Sequence, residues 1–157
     1  MQTQSSELPS ESTMMGTVAE RRKSSHMEKK SPSLRVLVVD DEALIRWSVA
    51  ETLLDQGHQV VEAPDGRTAL QLLSEAPASI DVVLLDYRLP DSDDLTLLSR
   101  IRRLAPASQV ILMTAYGTPE VVAGAQQLGV FRVLSKPVEM HEVATLVEKA
   151  HASRRYT

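Results

Sequence analysis

The chain has 157 residues, of which 43% are hydrophobic, with a net charge of −4 and no cysteine. That length fits one domain with a tail. The missing cysteine excludes disulfides and thiolate metal sites, and the mildly acidic balance argues against nucleic acid as the main partner. Residues 1–33 read as a disordered tail, rich in Ser, Glu, Lys and Arg and nearly without Ile, Leu or Val to bury. Arg21-Arg22-Lys23 is its densest basic patch, and Ser24-Ser25-His26-Met27 has the look of a cloning junction. No apolar run approaches the ~20 residues of a membrane span, and the N-terminus has no secretory apolar stretch. A cytoplasmic protein without membrane contact is therefore expected.

The domain is expected over 34–153, followed by a short tail over 154–157. An apolar run over 34–39 predicts a strand that ends at Asp40 and Asp41. An apolar-periodic helix follows from about 43 and stops at Gly57. A weaker strand lies around 59–62, and Pro64-Asp65-Gly66 is turn chemistry before a helix over 67–75. The run over 80–85 ends at Asp86. A helix over 94–104 stops near Pro106. The run over 110–113 ends at Thr114-Ala115. Thr118 is placed to cap the next helix, with Pro119 at its first position and Gly129 beyond its end. The run over 130–134 ends at Lys136-Pro137, and a last helix spans about 139–153. Strands separated by helices imply a parallel sheet, and near-continuous apolar runs imply strands covered on both faces.

Four of the five runs end in residues with chemistry. Ligand sites of open parallel sheets lie beyond the carboxyl ends of the strands, so Asp40, Asp41, Asp86, Thr114 and Lys136 can converge. Adjacent carboxylates suit a hard cation such as Mg²⁺, although either aspartate alone equally suits a helix cap. A carboxylate can also act as a nucleophile toward phosphorus. An ammonium beside it is a point charge suited to a phosphoryl group.

The motifs Val38-Val39-Asp40-Asp41-Glu42, Leu85-Asp86-Tyr87-Arg88-Leu89-Pro90, Met113-Thr114-Ala115 and Lys136-Pro137 together resemble the receiver domain of two-component response regulators. Ile45-Arg46-Trp47 and Leu112-Met113-Thr114-Ala115-Tyr116-Gly117 look most like NtrC-type receivers. The resemblance implies a flavodoxin-like (CheY-like) doubly wound sheet of five parallel strands, ordered 2-1-3-4-5, with five helices. It implies that Asp86 takes a phosphoryl group from a phosphohistidine on a sensor histidine kinase or a histidine phosphotransfer protein, and that the domain then switches binding to an unknown protein partner. It further implies Mg²⁺ on Asp41, Asp86 and the Arg88 backbone carbonyl, with Asp40 acting mainly through water. Lys136 would pair with the phosphorylated aspartate, and Thr114, with the Ala115 N–H, would report the phosphoryl group. Such a chain assists its own phosphorylation and dephosphorylation but is no enzyme in the usual sense.

Two departures from the family pattern stand out. Members often carry an aromatic residue where this chain has Val133, a stiff β-branched side chain. Phe131, two residues earlier, is expected on the same strand face as core or rim. Asp94 stands where many relatives have Gly, and aspartate tolerates left-handed backbone better than most residues. Trp47, on the first helix, suits either a buried anchor or an exposed contact for the kinase or phosphotransfer protein, the contact being the favoured reading. The resemblance also implies that Arg88 and Tyr116, two residues after Asp86 and Thr114, would flank the approach of water to an aspartyl phosphate. Two other readings compete: a degenerate receiver that binds partners without phosphate, and a phosphatase with an aspartyl nucleophile. The retained acidic, hydroxyl and lysine positions oppose the first. The second wants an acid where Arg88 stands. Whether the chain stands alone or is part of a longer regulator is left open by its sequence.

Overall fold

The computed structural model describes residues 32–154. The readings of the tail up to residue 31 and of 155–157 fall outside them. In chain order the elements are β1 (Arg35–Val39), α1 (Ala43–Asp55), β2 (Gln59–Ala63), α2 (Gly66–Glu75), a 3₁₀ turn (Pro77–Ser79), β3 (Val82–Asp86), α3 (Thr96–Leu104), β4 (Gln109–Thr114), α4 (Pro119–Gln127), β5 (Arg132–Ser135) and α5 (Met140–Ser153). The strands form one parallel sheet in the order β2-β1-β3-β4-β5, the order expected.

The twofold alternation of side chains along each strand divides the apolar residues between two cores. Leu37, Val39, Val83, Leu85, Val110 and Leu112 face α2, α3 and α4, where they meet Leu73, Leu98, Ile101 and Ala125. Val36, Val38, Val82, Leu84, Ile111 and Met113 face α1 and α5, where they meet Val49, Leu53, Val143 and Val147. Both sheet faces are therefore dry over β1, β3 and β4, which is why these central strands read as near-continuous apolar runs, whereas the edge strands β2 and β5 are half-exposed and mixed.

Local chemistry sets the helix ends. Gly57 (φ 92°) and Gly129 (φ 86°) lie in the left-handed region just past α1 and α4, a conformation glycine adopts without steric penalty. The Val121 N–H donates to Thr118 Oγ1 at 3.3 Å, and Pro119 opens α4 as expected. Helix α3 begins two residues later than the sequence suggests. Asp94 Oδ1 accepts the Thr96 N–H at 2.8 Å, a local turn that competes with helix at Asp94. Strand β3 likewise starts at Val82 rather than 80, and Asp81 Oδ2 accepts the Arg35 N–H at 2.9 Å. The expected sharing of a strand face by Phe131 and Val133 does not hold. Phe131 precedes β5 and packs against the α1/α5 core, whereas Val133 packs against the other.

Candidate functional site

The register of the sheet aligns the strand ends. Val39 pairs with Leu85, Asp86 with Met113, and Thr114 with Ser135. Asp40, Asp86, Thr114 and Lys136, each at or just past a strand end, thus fall along one edge. The bond from the Asp40 N–H to the Ala63 carbonyl, 3.1 Å, carries the β1–β2 ladder to that edge. Lys136 N–H donates to the Thr114 carbonyl at 2.8 Å and does the same between β4 and β5. The Lys136-Pro137 peptide is cis.

Asp40 and Asp86 are buried, whereas Asp41 is exposed at the rim. Carboxylate oxygens of the three lie within 4.8 Å of one another. Lys136 Nζ sits 3.1 Å from both Asp40 Oδ2 and Asp86 Oδ2, and 3.6 Å from Glu42 Oε1. One ammonium therefore pairs with two of the three clustered carboxylates and with the nearby Glu42. Burial, joined by the negative charge of Asp40, pushes the Asp86 carboxyl up to about 6, against a partial offset from Lys136. Burial alone would depress Lys136, but the Asp86 and Asp40 carboxylates outweigh it and hold the ammonium above its ordinary value. The cluster is thus short of positive charge, and its donors are hard oxygens. Both properties fit a divalent cation such as Mg²⁺.

The helix-cap reading of the first acidic pair is answered in part. The N-cap of α1 is Glu42, whose side chain makes no cap bond. Asp40 Oδ1 accepts the Glu42 N–H at 2.9 Å, and its other oxygen faces Lys136. Asp40 therefore turns the chain into α1 and shapes the cluster at once.

Thr114 is buried, and its Oγ1 accepts the Tyr116 N–H at 3.2 Å. Ala115 and Pro137 are exposed; Tyr116 is 75% exposed. Arg88 is exposed, and its N–H donates to Asp86 Oδ1 at 3.3 Å. Val133 is half-buried against the α2/α3/α4 core. Trp47 is 57% exposed on α1, beside Leu44 at 74%.

Sequence reasoning missed three contributors. Arg46 Nη1 donates to the Asp40 carbonyl at 2.6 Å while its Nε meets Glu62 at 3.0 Å. Glu42 adds a further carboxylate near Lys136. Asp91 reaches α2 from the loop after β3, accepting from Gly66 N–H and Arg67 N–H at 2.9 Å each. No local pattern announces a contact across 24 or 25 residues.

Comparison with known proteins supplies the frame for this geometry. A family described as the response regulator receiver domain matches residues 36–148. The chain is 37% identical over 115 residues to the DNA-binding transcriptional regulator NtrC of Escherichia coli, covering 73% of this chain and 24% of that protein. It is 33% identical over 116 residues to sporulation initiation phosphotransferase F of Bacillus subtilis, covering 73% and 91% respectively. Among solved structures, a response regulator receiver domain protein from Clostridium thermocellum superposes with a TM-score of 0.73 at 28% identity, covering 78% of this chain and 98% of that one. The chain thus spans about a quarter of the longer regulator and most of the shorter phosphotransferase.

Proposed function

Because the chain belongs to the response regulator receiver family of two-component and phosphorelay signalling, we propose that Asp86 is its phosphoacceptor and that Asp40, Asp41, Thr114 and Lys136 complete the site. The observation that carries this reading is the charge imbalance: three carboxylates within 4.8 Å and one ammonium 3.1 Å from two of them. Asp41, Asp86 and the Arg88 carbonyl would hold Mg²⁺, with Asp40 acting through water. Bound there, the cation supplies positive charge for the phosphoryl oxygens.

An Asp86 oxygen forms the new O–P bond while the P–N bond to the donor imidazole breaks and the electron pair leaves with the nitrogen. Lys136 already sits against the attacking carboxylate and would stay paired with the aspartyl phosphate. Thr114 would exchange its bond with the Tyr116 N–H for one from its own hydroxyl to a phosphoryl oxygen, which frees the loop after β4. Trp47 and Leu44 on α1 offer a surface for the phosphodonor, a sensor histidine kinase or a histidine phosphotransfer protein. The domain is a phosphoacceptor rather than an enzyme with turnover, and its output runs through a downstream protein. Among the described residues no helix is long and apolar enough to cross a membrane; a cytoplasmic setting accords with the kinase partner.

The test is to incubate the chain with acetyl phosphate and Mg²⁺ and map the modified peptide. A single phosphoryl group on the peptide containing Asp86 is expected; a phosphoryl group elsewhere, or none, defeats the assignment.

Metal binding should depend on Asp41 although it is exposed, because losing it leaves one anionic ligand with a neutral carbonyl and water. Calorimetric titration of Asp41→Ala is expected to show Mg²⁺ affinity at least about tenfold weaker than wild type. Unchanged affinity would mean that the residue serves only the turn into α1.

The phosphorylated state should be long-lived. Arg88 and Tyr116 flank the water approach, and neither is a carboxylate or amide able to orient a water molecule. Relative to wild type, the Arg88→Asn/Tyr116→Glu double variant should lose phosphate about tenfold faster, or ~1.4 kcal/mol in the barrier. Equal decay of the two proteins would show that these flanks do not set the lifetime.

A further inference from the structure

The loop between β3 and α3 carries Arg88, whose carbonyl is a proposed cation ligand, and it is fastened at three points. The Arg88 N–H donates to Asp86 Oδ1 at 3.3 Å. Leu89 is buried in the core and exchanges backbone bonds with Ser92 at 2.8 and 3.2 Å, closing a tight turn around Pro90 and Asp91. At the tip of that turn, Asp91 uses both carboxylate oxygens on the first two N–H groups of α2, each at 2.9 Å. Those N–H groups have no partner within the helix, and the positive end of the helix favours a carboxylate there. Gly66 makes the approach possible: a Cβ on it would stand 2.8 Å from Leu97 Cδ2 and 3.2 Å from Asp91 Oδ1.

We infer that Asp91 is a positioning residue for the phosphoacceptor site, and that its two bonds to α2 hold the Arg88 carbonyl where the cation needs it. The inference rests on the Mg²⁺ reading of the acidic cluster. Asp91 itself lies in a different place, lining a groove with Gly66, Arg67, Leu97 and Arg100 on the α2/α3 side. It therefore acts through the loop rather than by touching the metal.

The fold supplies an internal control. Asp65 also caps α2, its Oδ1 accepting the Thr68 N–H at 2.8 Å, but Asp65 is not on the site loop. Loss of either cap weakens the same helix end; only loss of Asp91 releases the loop. The experiment is calorimetric Mg²⁺ titration of the full chain as wild type, Asp91→Ala, Asp91→Asn and Asp65→Ala, with melting temperatures measured without metal. Expected are an affinity about tenfold weaker for Asp91→Ala, as for other residues that orient a metal ligand, an intermediate loss for Asp91→Asn, which keeps one acceptor oxygen, and an Asp65→Ala affinity within about twofold of wild type. Wild-type affinity in Asp91→Ala overturns the inference, as does an equal loss in Asp65→Ala, which would mark general fraying of α2. If Asp91→Ala does not fold, Asp91→Asn decides on the same criterion. A wild type that binds no Mg²⁺ defeats the metal reading itself, and the inference with it.

Discussion

Asp86→Asn is expected to abolish phosphoryl uptake and, at neutral pH without metal, to stabilise the fold. The first effect follows from removing the proposed anionic nucleophile. The second follows from Asp86 titrating near 6 in the folded chain, against an ordinary value of 3.8. Folding thus favours the protonated form. The contribution of this group is fully present below about pH 4 and is lost as pH rises through about 6. A shift of this size corresponds to at most about 3 kcal/mol above pH 7. Asparagine keeps the shape without the charge, so the variant should gain on wild type as pH rises. Urea denaturation of both proteins in chelator, at about pH 4 and about pH 7.5, measures the difference. Parallel pH profiles would show that burial of Asp86 does not oppose its ionisation.

Lys136→Met should act in the opposite direction. Its ammonium lies 3.1 Å from two buried carboxylates, and removing it leaves Asp40 and Asp86 facing each other unpaired. Breaking one side of a buried ion pair costs about 3–5 kcal/mol. The loss should be largest at neutral pH and shrink as acid protonates Asp86. Adding Asp86→Asn to Lys136→Met should recover part of it, because the two sites share one interaction. Denaturation curves of the two single variants and the double variant test this. A Lys136→Met cost under about 1 kcal/mol would mean that the ammonium is not what makes the acidic pair tolerable.

The central strands β1, β3 and β4 were legible because both faces of the sheet are covered there. That forces unbroken aliphatic runs, and each run stops where a polar residue meets the open edge. Thr118-Pro119 and Gly57 were legible because caps and left-handed turns are local chemistry. The start of α3 was not, since the Asp94 carboxylate diverts the Thr96 N–H before the helix can begin. Phe131 was misplaced because a face assignment by twos fails once the residue precedes its strand. Within the site, sequence and resemblance named Asp40, Asp41, Asp86, Thr114 and Lys136, and the fold brings them to one edge. Asp91 and Arg46 escaped notice because the fold brings their partners to them from other elements: the Gly66 and Arg67 N–H groups for Asp91, the Asp40 carbonyl and the Glu62 carboxylate for Arg46.

The pairing of Lys136 with Asp40 joins residues 96 apart, and that has a consequence for synthesis. A ribosome releases both buried aspartates long before the lysine. A nascent chain holding only β1 to β3 must bring Asp40 beside Asp86 with no ammonium to neutralise them. Its sheet carries an electrostatic penalty that is relieved, in part, only when Lys136 arrives beyond the final, edge strand. Fragments ending before β5 are thereby discouraged from closing into a finished-looking half-domain, and the chain is biased toward completing its sheet as a single event.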